Sequence, residues 1–461
     1  MRAACIYEPE FLFQDGRLRA GGLLGVDDQG VVQPASALPA KTPRLRLPGK
    51  ALLPGLVNAH SHAFQRLIRG RTELLTPGHA EDDFWSWRES MYRAVETLDP
   101  DELYVASRQA FLEMARSGIT TVGEFHYVHH APDGTPYAAP NTLALAVIRA
   151  AREVGLRITL LRVGYARAGF GLADNPRQRR FYDRDPAAFL EAAANLTQAL
   201  ARDPWVKIGL APHSVRAVPR AWLEAVAKDA STQPLHMHVA EQPAEVAACL
   251  AEHGLRPVAL LESLGLLSPR FTAVHAIHLE AGEILALGRA RAHVCACPST
   301  EMNLGDGVIP ADLLMRAGVS LCLGSDSQAE IDLLSEARQL EGHLRLVRGR
   351  RVVLDDGLQG PEGLARRLLS AATSNGAQSL GWDVGALSVG QPADFFTLDT
   401  RHPSLAGFDP VQGLSAAVWT SVPGAVSDVV MQGRHLVSDG HHTLEDESAR
   451  DFSSLQRRIF P

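Results

Sequence analysis

Short β-rich runs alternate with Ala- and Leu-rich helical stretches from Leu52 to about Ser388. This alternation is typical of repeated βα units that build a parallel sheet. Eight runs have the length and composition of buried strands: Leu52–Asn58, Thr120–Glu124, Arg157–Val163, Val206–Leu210, Leu235–Val239, Thr272–His275, Ala292–Ala296 and Val319–Gly324. Eight such strands predict an α/β fold with a (β/α)8 barrel of the TIM type, and the count alone leaves an open, doubly wound sheet as the alternative.

The two ends of the chain have a different, β-like texture. Residues 1–51 contain short strand-like pieces separated by turn signals such as Asp15-Gly16, and similar runs return at Phe395–Leu398 and Val429–Val437. We therefore predict a catalytic barrel over residues 52–388 and a small β-sandwich domain composed of residues 1–51 and 389–461. A chain of 461 residues is long enough for both units.

The composition is that of a globular protein, with 46% hydrophobic and 21% charged residues. The net charge of -7 disfavours nucleic acids and anionic membranes as partners, because both need a basic surface. The chain shows neither an apolar run long enough to span a bilayer nor a secretory signal, so we expect a cytoplasmic protein with a small-molecule substrate. The five cysteines form an odd and sparse set, and Cys295 and Cys297 lie in a strand-like pattern, where packing is expected rather than a disulfide.

Histidines and one aspartate stand at the predicted strand ends, where barrel enzymes collect their functional groups. The first strand is followed by His60 and His62, and two histidines one residue apart in an extended chain point to the same side. The fifth strand contains His238 and the eighth ends at Asp326, which taken singly has an alternative as a turn former or helix cap. Together, three imidazole nitrogens and one carboxylate oxygen predict a zinc site with one position open for water.

The same segments resemble the metal signature of the amidohydrolase superfamily, and they occur in that family's order. They are Pro54–His62 (PGLVNAHSH), His238–Glu241 (HVAE) and Gly324–Asp326 (GSD). In the mononuclear deaminase branch, the resemblance implies one metal ion per subunit, held by His60, His62, His238 and Asp326. Zinc is the expected ion, with iron or manganese as alternatives. A homodimer is implied by the resemblance only.

The resemblance also implies catalytic roles. Glu241 would shuttle protons to the substrate nitrogen and the departing amine, while Asp326 would orient the nucleophile. His275, after strand six, would stabilise the charge that develops during the reaction, with His278 as its rival. Dinuclear relatives need a carboxylated lysine after strand four, and Lys207 lies too early in that strand to serve. We therefore expect a single metal ion.

Several predicted loops resemble those of the N-formimidoyl-L-glutamate deiminases of histidine degradation, which release N-formyl-L-glutamate and ammonia. The segments are His62–Gly70, Phe84–Glu89, Gly123–Tyr127, Pro212–Arg216 and Thr300–Gly307. A substrate with two carboxylates needs nearby cations, and guanidinium binds carboxylate in bidentate geometry. Arg88 and Arg216 are the candidates, each with a surface salt bridge as its alternative role. By resemblance, Gln65, Tyr127 and His213 would contact the glutamate portion of the substrate.

Two other functions stay open on the sequence alone. An aminohydrolase of a nucleobase, nucleoside or triazine needs a flat aromatic pocket; aromatic residues make up only 6% of the chain, but Phe84, Trp85 and Trp87 could supply a stacking wall. A non-catalytic barrel scaffold is disfavoured by the complete set of candidate ligands.

The chain departs from the family pattern after Asp326. Gln328 follows Ser327, whereas relatives often have a histidine after this serine.

Overall fold

The computed structural model describes residues 3–75, 82–229, 232–358 and 360–460. Within these ranges sixteen strands form two sheets of eight strands each. In chain order the strands are β1 (Cys5–Gln14), β2 (Arg17–Ala20), β3 (Leu24–Val26), β4 (Val32–Gln33), β5 (Arg44–Pro54), β6 (Leu56–Ser61), β7 (Ile119–His126), β8 (Arg157–Gly164), β9 (Val206–Pro212), β10 (Leu235–Val239), β11 (Phe271–His275), β12 (His293–Ala296), β13 (Ser320–Leu323), β14 (Phe395–Asp399), β15 (Val426–Met431) and β16 (Arg434–Val437).

Most of the α-helices follow the strands of the second sheet. The helices are α1 (Phe84–Val95), α2 (Pro100–Arg116), α3 (Thr142–Val154), α4 (Pro186–Leu200), α5 (Arg220–Lys228), α6 (Pro243–His253), α7 (Pro257–Ser263), α8 (Ala281–Arg289), α9 (Pro298–Leu304), α10 (Ala311–Arg316), α11 (Leu333–Arg348), α12 (Gly363–Ala371), α13 (Ser374–Ser379), α14 (Gly413–Thr420) and α15 (Glu445–Ile459). Two of them start with an acidic cap before a proline: Asp99 precedes α2 and Asp185 precedes α4. The carboxylate accepts a free backbone N–H of the first turn, and proline has no such group to satisfy.

Strands β6 to β13 are parallel and pair in chain order. The first and last of them meet through backbone hydrogen bonds of 3.0 Å, from the Asp326 N–H to the His60 carbonyl and from the His62 N–H to the Asp326 carbonyl. The sheet is therefore a nearly closed barrel, which confirms the barrel prediction over the open sheet. Its strands are almost wholly buried, as expected of a parallel sheet covered by helices.

Seven of the eight predicted strands agree with the observed bounds to within two residues, but the first, Leu52–Asn58, is divided between the two sheets. Residues 52–54 finish β5, and β6 begins at Leu56. Gly55 separates the two strands, and a Cβ on it would lie 2.5 Å from the Oγ1 of Thr120, so only glycine lets the chain pass this close. The apolar run continues across both strands, so hydrophobicity could not mark the change of sheet.

The second sheet is built from both ends of the chain. Its order is β16-β15-β14-β5-β1-β3-β4, with β2 beside β1. Strand β5 pairs parallel with β1 and antiparallel with β14, so the first and last segments of the chain are neighbours. This confirms the predicted small β domain with contributions from both termini. A buried ion pair between Arg157 of β8 and Asp394, which precedes β14, connects the barrel to this sheet.

The five cysteines are all free. Cys295 and Cys297 are buried together with Cys322, which confirms the predicted packing role. Across the described residues, no helix has both the length and the apolar character needed to cross a membrane.

Candidate active site

Four side chains, which we call the metal-ligand cluster, converge at the carboxyl end of the barrel strands: His60, His62, His238 and Asp326. One possible ligand atom from each lies within 4.8 Å of the others, and all four residues are buried. The Nε2 atoms of His60 and His62 are 3.2 Å apart, and the Oδ1 of Asp326 lies 3.4 and 3.3 Å from them. The structure thus brings together the four residues selected from the sequence.

Backbone carbonyls fix the orientation of two of these imidazoles. The Nδ1 of His62 is 2.9 Å from the carbonyl oxygen of Phe125, and the Nδ1 of His238 is 3.2 Å from that of His213. A proton held on Nδ1 by such a bond leaves the Nε2 lone pair free to bind a cation. The Nδ1 of His60 is buried and has no hydrogen-bond partner within the described part of the chain.

The ionisation of the metal-ligand cluster also suits a cation. Burial lowers the pKa of His60 to about 4, and burial together with the neighbouring histidines holds the pKa of His238 well below its usual range. Burial alone would raise the pKa of Asp326, but hydrogen bonds with His60 and His62 outweigh it and hold this pKa well below the ordinary value. Neutral imidazoles and an ionised carboxylate are the forms that bind metals, so the donor set fits zinc.

His275 and Glu241 border the metal-ligand cluster. The Nε2 of His275 lies 3.6 Å from the Oδ2 of Asp326 and 3.7 Å from the Oε1 of Glu241, while its Nδ1 lies 3.3 Å from the Oε1 of Glu301. Burial alone would lower the pKa of His275, but the charge of Glu241 and the hydrogen bond with Glu301 raise it to about 10. His275 therefore favours its charged form and faces the reaction centre with one nitrogen.

The two alternatives weighed in the sequence, His278 and Lys207, lie away from this centre, and so does His236. The Nε2 of His278 is 3.0 Å from the carbonyl oxygen of Asp306 and so does not face the metal-ligand cluster. The geometry therefore favours His275 over His278 as the residue that stabilises the developing charge. Lys207 contacts a backbone carbonyl and the ring of Trp382 near the amino end of β9. His236, two residues before His238, places its Nε2 2.9 Å from a backbone carbonyl beneath the cluster.

A cavity adjoins the metal-ligand cluster, and its lining includes all five predicted substrate contacts. Its lining residues are His62, Gln65, Phe84, Trp87, Arg88, Met91, Tyr92, Tyr127, Tyr165, Phe181, His213, Arg216, His238, Glu241, Leu304 and Asp326. The walls therefore combine six aromatic rings with two guanidinium groups.

Both guanidinium groups retain unused donors. The guanidinium carbon of Arg88 lies 4.5 Å from the ring centre of Trp85, and Arg216 donates to Glu241 at 2.9 Å and to Glu245 at 3.4 Å. The Nε of each arginine is buried and lacks a hydrogen-bond partner among the described residues. Because a buried N–H without a partner is costly, these atoms mark the positions where a polar ligand would be stabilised.

The remaining predicted contacts are neutral polar groups. The Nε2 of Gln65 donates to the hydroxyl of Tyr127 at 2.9 Å. Burial and the nearby charge of Arg216 hold the pKa of His213 well below its usual range, so its imidazole is neutral. This ring lies 4.8 Å from the ring of His238, between the cluster and the arginine. These three side chains supply dipoles rather than charge.

A buried chain of hydrogen bonds joins the loops that carry the metal-ligand cluster. The Nε2 of Gln328 donates to the Oγ of Ser61 at 2.9 Å, and this hydroxyl donates to the Oε2 of Glu124 at 2.7 Å. The other oxygen of Glu124 accepts the N–H of Ala63 at 2.8 Å, and the Oε1 of Gln328 accepts the hydroxyl of Ser325 at 2.9 Å. The sequence departure at Gln328 therefore has a structural role, because its amide bridges the loops after β6 and β13.

Replacing Gln328 with alanine is expected to weaken zinc binding about 10-fold or more without removing a ligand. The variant loses the side-chain bonds that support the backbone contacts between the segments holding His62 and Asp326, so these ligands are held less firmly before the metal ion binds. Competition with a chromophoric chelator measures the affinity. Gln198→Ala on the exposed face of α4 is the control, and unchanged affinity in Gln328→Ala would contradict the role given to this amide.

Three carboxylates near the site had no role assigned from the sequence. Glu245 lies in the first turn of α6, four residues after Glu241, and a second carboxylate this close to the proposed proton shuttle was a usable signal. Glu124 is a charged residue inside the apolar run of β7, which is a second signal of function. Glu301 belongs to a segment that resembles the family, but its contact with His275 depends on the three-dimensional fold.

Comparison with known proteins agrees with this geometry. Residues 51–436 match the amidohydrolase family. The formimidoylglutamate deiminase of Pseudomonas aeruginosa is 40% identical over 407 residues, which cover 88% of each chain. The 8-oxoguanine deaminase of the same species is 32% identical over 436 residues, or 90% of each chain. An amidohydrolase crystal structure from Brucella melitensis is 33% identical and superimposes with a TM-score of 0.89 over 99% of this chain and 100% of that one. The present chain therefore belongs to the amidohydrolase family.

Proposed function

We propose that the protein hydrolyses N-formimidoyl-L-glutamate to N-formyl-L-glutamate and ammonia, with one zinc ion held by the metal-ligand cluster. The observation that carries the proposal is the presence of two guanidinium groups, those of Arg88 and Arg216, in the cavity that reaches this cluster. A substrate with a C=N group at one end and two carboxylates at the other matches both parts of the cavity. The 40% identity with a formimidoylglutamate deiminase supports the same substrate.

The reaction replaces a C=NH group by C=O, and the departing nitrogen takes both protons of the water molecule to leave as ammonia. When bound, the metal ion supplies the Lewis acidity that makes water nucleophilic near neutral pH. Asp326 accepts a hydrogen bond from the attacking water and orients it toward the carbon atom. Glu241 accepts the two protons of that water one after the other and delivers each of them to the leaving nitrogen. The charged imidazole of His275 stabilises the negative charge that develops as water adds.

In this proposal the glutamate portion of the substrate binds at Arg88 and Arg216, in the cavity that adjoins the metal-ligand cluster. Arg88 and Arg216 each bind one carboxylate through the donors that remain unused within the described structure. Gln65, Tyr127 and His213 contribute neutral donors and acceptors, which fix orientation without adding charge.

A nucleobase aminohydrolase is the second candidate. Six aromatic residues line the cavity, many more than the 6% aromatic composition suggests, and flat rings would stack on them. The 8-oxoguanine deaminase among the relatives points the same way. A neutral ring suits this cavity poorly, however, because the buried Nε atoms of Arg88 and Arg216 lack a hydrogen-bond partner among the described residues and favour an anionic ligand.

Ammonia release by the zinc-loaded protein tests the proposal. We expect kcat/KM for N-formimidoyl-L-glutamate to exceed those for guanine, 8-oxoguanine, cytosine and S-adenosylhomocysteine by about 10⁴-fold, since a site built for carboxylates rejects ligands that lack them. A higher kcat/KM for any of these bases or nucleosides would favour the second candidate. A non-catalytic scaffold would show neither turnover nor one zinc ion per chain after purification.

A further inference from the structure

Arg216, a proposed substrate contact, is ion-paired with Glu241, the proposed proton shuttle. Its Nη2 donates to the Oε2 of Glu241 at 2.9 Å, and its Nη1 lies 3.4 Å from the Oε2 of Glu245. All three side chains are buried, with exposed fractions of 8%, 5% and 0%. A charge-assisted bond in such a dry place is strong, so the ion pair holds the Glu241 carboxylate in place and occupies one of its two oxygens.

A substrate carboxylate would compete for the same guanidinium. The ring of Phe84 lies 5.2 Å from the guanidinium carbon of Arg216 and covers one face, so a ligand approaches along the edge of the group. The free Nε adjoins the Nη2 that bonds Glu241, and a carboxylate bound side-on uses both nitrogens. A bound substrate carboxylate, together with Glu241 and Glu245, would place three carboxylates around the single guanidinium of Arg216. Two negative charges would then be uncompensated in a buried place, and their repulsion is relieved when one carboxylate withdraws.

Glu241 is the carboxylate that can withdraw. Glu245 lies on α6, and its Oε2 also accepts the backbone N–H of Glu241 at 3.3 Å, so it is held in place by two contacts. It keeps Arg216 in position after Glu241 leaves. Glu241 precedes the helix, and its second oxygen already lies 3.7 Å from His275, on the side of the reaction centre.

We infer that a substrate carboxylate bound at Arg216 releases Glu241 from its ion pair, so that proton transfer becomes available only when the carboxylate end of the substrate is in place. This inference rests on the proposed function and gives Arg216 a task beyond binding. Binding energy from the remote end of the substrate is then used in the chemical step. The substrate carboxylate should therefore raise kcat, whereas a simple anchoring contact would lower only KM.

Glutarate, which carries two carboxylates and no C=N group, tests the competition directly. Calorimetry on zinc-loaded protein is expected to show about 10-fold tighter glutarate binding to Glu241→Gln than to the parent, because an amide is a weaker partner for guanidinium. Glu245→Gln is the matched control, since it removes a charge near the same arginine and leaves the bond to Glu241. Burial raises the pKa of Glu245 to about 7 against the effect of Arg216, so the measurement is made at pH 8, where Glu245 is mostly ionised in the parent.

A larger gain in Glu241→Gln than in Glu245→Gln supports the competition. Equal affinity of the parent and Glu241→Gln overturns it. Equal gains in the two variants also overturn it, because they would reflect general charge repulsion and not the sharing of one guanidinium.

Formamidine with added glutarate tests the catalytic consequence, because the two molecules together carry the functional groups of the proposed substrate. Saturating glutarate is expected to raise kcat for formamidine about 10-fold or more in the parent. Arg216→Met should abolish this activation, whereas Arg88→Met should retain it at higher glutarate concentrations. If N-formimidoyl-L-glutamate is hydrolysed and glutarate fails to activate formamidine, the inference is wrong and the proposed function stands. If N-formimidoyl-L-glutamate is not hydrolysed, the proposed function fails, and calorimetry still reports on the ion pair.

Discussion

The Glu241→Gln variant is expected to keep its zinc ion and to lose about 10²- to 10⁴-fold in kcat, the usual contribution of a general acid-base group. Glutamine has nearly the shape of glutamate and can still accept a hydrogen bond from Arg216, so the cavity keeps its form. It cannot take a proton from water or pass one to the leaving nitrogen. Steady-state ammonia release from N-formimidoyl-L-glutamate measures the loss, and metal analysis of the same sample shows that the ion is retained.

The control for this variant is Glu262→Gln on α7, where the parent carboxylate forms an exposed ion pair with Arg289 outside the cavity. Its turnover should equal that of the parent, because an exposed pair of this kind contributes little even to stability. Normal turnover in Glu241→Gln would remove Glu241 from the mechanism. Loss of zinc from the Glu241→Gln variant would instead show that Glu241 binds the metal ion or supports the metal-ligand cluster.

The barrel was predictable because its signals are local. Each buried strand appears as a short apolar run, and the residues at its end can be read directly from the sequence. Parallel strands end at one side of a barrel, so His60, His238 and Asp326 could be expected to meet although they are far apart in the chain. The change of sheet at Gly55 was not predictable, because it depends on the close approach of Thr120, which no local pattern records.

The parts of the site that escaped prediction depend on contacts between distant segments. Gln328 donates to Ser61 across 267 residues of sequence, and both residue types are common in solvated loops. The pairing of Arg216 with Glu241 depends on how two loops place their side chains, so local pattern indicated only a surface salt bridge or a substrate carboxylate as the partner of this arginine. The aromatic lining was also unexpected, because overall composition does not show that six rings gather in one cavity.

Replacing His238 with asparagine is expected to remove stoichiometric zinc and to lower turnover by more than about 10³-fold, because it removes one of three imidazole ligands and leaves Asp326, which also has to orient the attacking water, as the third ligand. Metal analysis after dialysis measures the first effect and ammonia release the second. Zinc stabilises only the folded protein, so it should raise the Tm of the parent and leave that of the variant nearly unchanged.

His236→Asn is the matched control, because His236 has the same side chain, on the same face of the same strand, two residues earlier. Its Nε2 contacts the backbone carbonyl of Ser379 and does not reach the metal-ligand cluster. This variant should lose stability, since a buried carbonyl loses its partner, but it should still bind zinc and respond to zinc with a higher Tm. If His238→Asn instead retained one zinc ion per chain and normal turnover, the convergence of three imidazoles and a carboxylate would have no catalytic meaning, and the mechanism derived from it would fall.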